Sequence, residues 1–294
     1  MRLQRGGAVA VGFAEAGRVP AEVDRQYSEW LGKGYHYGMT WMERHRELRR
    51  DPENVLPGVK TVISIAYPYS PGVGKGLRAP YVARYAYSED YHLSVREMVS
   101  EALGEPCGYQ WRICIDSAPL PERFWAVKAG IGFIGDNGAL IVPGIGPEVV
   151  LAEILTTADY PPDSPLSMEC LHCGRCLGAC PSGALCADAT IDCRRCISYL
   201  TIEHRGPWTD PAAIEAMNTP RGRDTLFGCD CCLAVCPLCD GSTLSALPPA
   251  DVPPLPLPSS ERLLGKLYPR SPLLRARRKG LLRNLRLDTD DSAM

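Results

Sequence analysis

Along the first 160 residues the apolar positions follow two rhythms. Positions 22–32 and 39–50 carry them at helical spacing (Val23, Tyr27, Trp30, Leu31; Met39, Trp41, Met42) and predict amphipathic helices, the second ended by Asp51-Pro52. Residues 8–13 are a short run of small apolar residues that predicts a first buried strand, ending at Glu15-Ala16-Gly17. The β-branched run 61–67 (TVISIAY), bounded by Pro57-Gly58 and Pro68, predicts a buried central strand. Further on, the pattern predicts a Ser-capped helix from about 94 to 103, a strand over 109–115 and a helix over 120–128. Strand-like runs follow over 139–142 and 149–156. This mixture reads as an α+β domain with α/β character over 1–160.

The connections hold the candidate chemistry of this half. Residues 71–80 form a Gly/Pro/Lys/Arg loop, and the stretch 81–92 crowds Tyr81, Tyr85, Tyr87, Tyr91 and His92 together. Taken alone, such residues read as half-buried packing, because a single histidine is more often structural than a ligand. Asp116, in the turn Asp116-Ser-Ala-Pro119 between a strand and a helix, has two readings of equal weight: a carboxylate facing a ligand at a strand end, or a helix N-cap. Gly130, Gly132 and Gly135 suggest a dinucleotide fingerprint, but that motif must follow a strand and open a helix. This stretch follows a helix and leads into strands, which rejects a Rossmann site.

The second half is organised by cysteine. Cys170, Cys173, Cys176 and Cys180-Pro181 give C-x2-C-x2-C-x3-C-P, the spacing by which bacterial ferredoxins hold iron–sulfur clusters; in two-cluster proteins the fourth cysteine serves the other cluster. Downstream thiolates are then required. Cys229, Cys232 and Cys236-Pro237 repeat C-x2-C-x3-C-P, with Cys193 and Cys196 between the two runs. A structural zinc site takes four ligands and strands the rest, and a disulfide framework is the other competing use. Cys193–Glu203 has the apolar spacing of a helix with one ligand at its start.

Composition adds compartment and charge. Of the 14 cysteines, 12 fall between Cys170 and Cys239, which points to metal in a reducing compartment, with cytoplasm the expectation. Arg2 and Arg5 before the apolar run could pass for a weak export signal, but the run is short and glycine-rich and lacks paired arginines. No stretch reaches the roughly 18 apolar residues of a membrane helix, so no membrane partner is expected. Residues 245–260 are proline-rich and read as an extended linker. From Arg262 to Leu287 there are nine Lys/Arg and no acid, against a net charge of −2 for the chain. Such a tail with interleaved leucines suits a polyanion, with a solvated amphipathic helix the plainer reading.

Assembled, these residues resemble the epoxyqueuosine reductases, cobalamin-dependent iron–sulfur enzymes of tRNA modification. The resemblance rests on 56–66 (LPGVKTVISIA), 83–92 (ARYAYSEDYH), 115–119 (IDSAP), 129–135 (AGIGFIG) and above all 195–203 (RCISYLTIE). It implies a cobalamin-binding catalytic domain over 1–160, a bacterial ferredoxin-like domain with two 4Fe-4S clusters over 161–243, and a linker and basic tail over 244–294. It implies Cys170, Cys173, Cys176 and Cys236 as ligands of one cluster and Cys180, Cys196, Cys229 and Cys232 as ligands of the other. Cys186, Cys193, Cys231 and Cys239 are then extra. Asp116 is the implied proton donor, its pKa raised by burial near the corrin, and Tyr91, His92, Asp116, Gly135 and Asn137 are the implied contacts to cobalamin as cob(II)alamin.

The implied reaction is reduction of epoxyqueuosine to queuosine in the anticodon loop of tRNA, by a cytoplasmic monomer supplied by a low-potential electron donor. Asp136 departs from the family, which usually has Lys or Arg there, and the chain reads as a short form without C-terminal helical repeats. Two other functions compete: a cobalamin enzyme on a small molecule, like the reductive dehalogenases, and a ferredoxin-type electron carrier. Asp116 and the long segment before the clusters have no use in a carrier, and the paired arginines of dehalogenase export are missing.

Overall fold

In a computed structural model that describes residues 2–69, 79–104, 108–239 and 245–287, the chain is built on the run that is buried from end to end. Every residue of the strand Thr61–Pro68 is buried, as an interior strand covered on both faces requires. It pairs antiparallel with Ala10–Glu15 on one side and with Val149–Thr156 on the other; Val149–Thr156 pairs antiparallel with Trp111–Cys114 at the sheet edge. The arrangement is α+β, as the mixed pattern implies.

Alternation of side chains gives the sheet two separate cores. Ile63, Ile65, Tyr67 and Ile154 pack with Val95 and Val99 of the helix Tyr91–Leu103. Val62, Leu155 and Cys114 pack with Trp125 of the helix Glu122–Lys128. Truncating a fully buried residue such as Ile65 to alanine costs about 2–5 kcal/mol, because a cavity is added to the lost transfer energy.

Local chemistry moves several expected boundaries. The helix Tyr91–Leu103 starts three residues earlier than expected, because the Asp90 carboxylate, not Ser94, caps it by accepting from His92 N at 3.0 Å. The expected helix 39–50 is two short helices, Thr40–Arg44 and Arg46–Arg50, parted at His45 with φ −98° and ψ 18°. Of the loop 71–80 only residues 79–80 are described. No helix among the described residues is long and apolar enough to cross a membrane.

The cysteine-rich segment is not packed by itself. Tyr81–Val82 pairs parallel with Thr225–Phe227, and Trp30, Tyr37 and Met39 pack on Ile197, Leu200 and Met217. The C-terminal segment closes a further core: Leu264, Leu273, Leu281 and Leu282 are buried with Val82, Ala86, Leu226 and Phe227. Where a basic tail for a polyanion, or else a solvated helix, was expected, the helices Glu261–Leu267 and Arg277–Asn284 thus contribute to the interior.

The arginines of this segment have internal work. Arg283 donates to the carbonyls of Leu200, His204 and Gly206, and Asn284, 1% exposed, donates to those of Thr201 and Leu226. Carbonyls at the end of the helix Ile197–Ile202, which a helix cannot satisfy internally, are met in this way. Arg270 pairs with Glu89 and Glu97, and Arg275 with Glu203. Arg277 and Lys279 are exposed.

Candidate active site and cluster centres

The edge strand Trp111–Cys114 delivers Asp116 to a turn with left-handed backbone, φ 46°. A non-glycine residue held there costs about 1–3 kcal/mol, and such positions cluster at functional sites. Asp116 does not cap the following helix: Pro121 occupies the N-cap and makes no side-chain capping bond. Instead the backbone N–H of Asp116 donates to Glu122 Oε1 at 2.5 Å, and its carboxylate takes two side-chain bonds. Tyr91 OH donates to Oδ2 at 2.9 Å, and His92 Nε2 lies 3.2 Å from the same oxygen. The other ring nitrogen of His92 is 2.7 Å from Asp90 Oδ1. The capped helix start is therefore also what aims Tyr91 and His92 at Asp116.

The electrostatics of this group differ from expectation. Burial works against charge on His92, but the Asp116 and Asp90 carboxylates outweigh it and raise its pKa to about 9. For Asp116, burial pushes upward, yet the His92 imidazolium, the Tyr91 hydroxyl and Arg275 hold the carboxyl below its usual range. The upward shift expected for Asp116 is one that burial near the corrin would produce; in the chain alone the imidazolium prevails. Its side chain is 58% exposed, so a charged partner rather than an apolar wall sets its state. At neutral pH the proton of this group rests on His92.

Arg275 joins the group to an open recess of about 730 Å3 walled by Tyr37, Trp41, Tyr199, His204 and Arg205. Arg275 is held by a two-pronged bond to Glu203 at 2.7 and 2.9 Å, and Tyr37 stacks on His204 with ring centres 5.5 Å apart. Aromatic walls with arginines at the rim suit a flat, partly apolar ring bearing anionic groups, and Arg275 couples this recess electrostatically to the Asp116 carboxylate.

Eight of the cysteines lie in two groups. Cys170, Cys173, Cys176 and Cys236 line a single pocket. Burial first, and then the neighbouring Cys196, Cys229 and Cys180, push the Cys232 thiol up to about 12. Four thiols close enough to feel one another inside the protein are a costly arrangement without a metal and a suitable one with it. Cys196 is the N-cap residue of Ile197–Ile202, at the helix start as expected, and Ala184 N donates to Cys180 Sγ at 3.2 Å. No disulfide joins the described cysteines.

Gly135 and Asn137 lie with the first cluster cavity, apart from the hydrogen bonds of Tyr91, His92 and Asp116. The glycines of this stretch answer crowding: a Cβ on Gly132 would lie 2.5 Å from Ile141 O, and one on Gly135 would lie 2.6 Å from Ile141 Cδ1. Asn137, 4% exposed, ties its loop to the cluster segment by donating to Cys232 O at 3.4 Å. Asp136 meets His172 Nδ1 at 2.8 Å, so the departure from a basic residue gives this position a contact inside the first cysteine motif.

Residues that pattern reading missed connect the two centres. Tyr85 packs edge-on against Tyr91 and also contacts Phe227, two residues before Cys229. Arg84 N donates to Asp230 Oδ2 at 2.8 Å, and its guanidinium pairs with Glu148. The Arg84–Tyr87 turn is thereby fixed between the Asp116 group and the second cysteine set. Its signal in the sequence was the tyrosine crowding itself.

Residues 49–117 match the family model described as epoxyqueuosine reductase QueG, DUF1730, and residues 169–238 match the 4Fe-4S double cluster binding domain. An epoxyqueuosine reductase of Cyclobacterium marinum is 35% identical over 289 residues, covering 93% of this chain and 90% of that one. One of Synechococcus sp. is 38% identical over 229 residues, covering 76% and 68%. The structure of the Bacillus subtilis epoxyqueuosine reductase, with its catalytic aspartate loop swung out of the active site, superposes with TM-score 0.80 at 27% identity over 96% of this chain and 77% of that one. An epoxyqueuosine reductase bound to an epoxyqueuosine-modified tRNA-Tyr stem loop superposes with TM-score 0.78 at 25% identity, with the same coverage. The chain belongs to the epoxyqueuosine reductase family.

Proposed function

We propose that this protein reduces epoxyqueuosine in tRNA to queuosine, with Asp116 as the group that meets the epoxide oxygen. The observation that carries the reading is the Asp116 turn: a carboxylate in strained backbone, 58% exposed and hydrogen-bonded to Tyr91 and His92, with the arginine-rimmed aromatic recess beside it. Residues up to about 160 supply this chemistry, and the cysteine-rich segment that follows supplies electrons.

Cobalamin over the exposed face of Asp116 would be contacted by Tyr91 and His92, and the clusters would be held by the two cysteine sets named above. Together they supply single electrons at low potential and a cobalt centre able to pass them to the epoxide carbons. Loss of the epoxide oxygen as water consumes two electrons and two protons, so an acid must stand at that oxygen. Asp116 is positioned for contact with it, and the His92 imidazolium, 3.2 Å behind, holds the proton that replaces one passed through Asp116. Asp90 keeps His92 charged and oriented. Arg205 and Arg275 give the recess the positive rim that an RNA phosphate needs.

Anaerobic turnover of epoxyqueuosine-containing tRNA, with reductant in excess, tests the reading. Asp116→Asn keeps the turn and its side-chain bonds but cannot take up a proton from His92 and pass it on. Iron content and cobalamin uptake should therefore hold, while turnover falls about 100- to 10,000-fold. Normal turnover in this variant, or no turnover by the parent protein loaded with both cofactors, refutes the assignment.

A further inference from the structure

The strand Val149–Thr156 holds an acid where the sheet has no evident use for one. Glu153 is 0% exposed, in mid-strand, directly opposite Ser64 on one neighbouring strand and Cys114 on the other. Its side of the sheet is the one that Leu155, Cys114 and Trp125 fill with apolar atoms. Neither carboxyl oxygen meets a donor at hydrogen-bond geometry. An ionised carboxylate in such a place would be among the costliest groups a protein can bury. Its acidic neighbours are Glu122 first and Asp116 second, and Glu122 is the residue whose Oε1 receives the backbone N–H of Asp116 at 2.5 Å.

We propose that Glu122 and Glu153 form a carboxyl pair sharing one proton beneath the Asp116 turn, with Glu122 as the positioning residue that holds Asp116 in its left-handed conformation and Glu153 as the neutral acid that lets Glu122 stay there. This rests on the reading of Asp116 as the group that meets substrate. The logic is that of two carboxyls in one site, which cannot both ionise. Burial, then Asp116, pushes Glu122 upward, and burial, then Glu122, pushes Glu153 well upward. The charged and titratable groups around the pair are Asp116, Arg123 and Cys114. Arg123 partly offsets the charge of Glu122 and does not neutralise Glu153.

The pair also accounts for the strained turn. A φ of 46° at an aspartate costs energy that local sequence does not return. Glu122 Oε1 accepts the Asp116 N–H in either protonation state, and when Glu122 is ionised the bond is charge-assisted and worth roughly twice a neutral one. Ionising both members would put a second negative charge under Asp116 and loosen the anchor.

Two measurements on the full chain with its clusters test the proposal. The first is an infrared difference spectrum at neutral pH between the parent protein and Glu153→Gln, a neutral isostere. The carbonyl band of a protonated carboxyl should be lost in the variant and should persist in Asp116→Asn. No band in the parent difference spectrum means that Glu153 is ionised and overturns the pair, whatever the fate of Asp116. The second is turnover. Glu153→Gln should stay within about threefold of the parent, whereas Glu122→Ala should lose about 10- to 1,000-fold in kcat, with KM, iron content and melting temperature held. A melting temperature that falls together with kcat would make Glu122 merely structural and overturn the positioning role. Were Asp116→Asn fully active, the reading of Asp116 would fall while the infrared result still decided the pair.

Discussion

Replacing His92 by Gln removes a charge that two carboxylates hold in place, at 2.7 Å from Asp90 and 3.2 Å from Asp116. The folded pKa of about 9 lies above the ordinary 6.5, so folding favours the imidazolium. The stability advantage of the parent over the variant is therefore fully present below about pH 6.5 and is lost as pH rises through about 9. Taken whole, that displacement would correspond to about 3 kcal/mol. With Asp116 58% and His92 32% exposed, screening by water brings it to on the order of 1 kcal/mol. In a protein of this size that is a melting-temperature difference of about 2–4 °C at neutral pH, vanishing in alkali. Turnover should follow the same group: the parent rate declines through about pH 9, and His92→Gln is slower by about 100-fold or more at neutral pH. Thermal unfolding under anaerobic conditions and the tRNA assay read both. A stability gap that widens toward alkaline pH, or an equal rate in the variant, refutes the imidazolium.

Two further outcomes are expected. Cys196→Ala removes one of the four thiols gathered around Cys232, so iron and sulfide should fall from about eight to about four of each per chain, with the set lining the other cavity still filled. Neutralising the exposed Arg277 and Lys279 should flatten the salt dependence of tRNA binding, by about 0.7–0.9 in log–log slope per lost phosphate contact. An unchanged slope would assign these two residues to solvent alone.

What could be read from the chain differed by the range of the interactions. The cysteine runs were legible because ligand spacing is local chemistry, whereas their division into two sets came from the family resemblance; the Thr61–Pro68 strand was legible because a run buried on both faces must be apolar throughout. Asp116 was half legible: its turn could be placed, but whether it capped a helix or faced a ligand depended on Tyr91, His92 and Glu122. Burial near a corrin was foreseen for its carboxyl, and the imidazolium that lowers its pKa in the chain alone was not. Glu153 had a visible signal, a lone acid in an apolar strand run, that periodicity alone could not interpret. The C-terminal arginines were misjudged because composition cannot distinguish an arginine that waits for phosphate from one like Arg283, whose carbonyl partners lie some eighty positions away.

That placement of the C-terminal segment changes how deletion experiments on this protein must be judged. Cutting before Leu264 would strip the apolar cover from Leu226 and Phe227 and uncap the carbonyls at the end of the Ile197–Ile202 helix that begins at Cys196. A shortened protein that no longer retains tRNA would then be reporting a collapsed iron site, and point substitutions confined to its outward-facing basic residues are what separate loss of grip on RNA from loss of the metal centre.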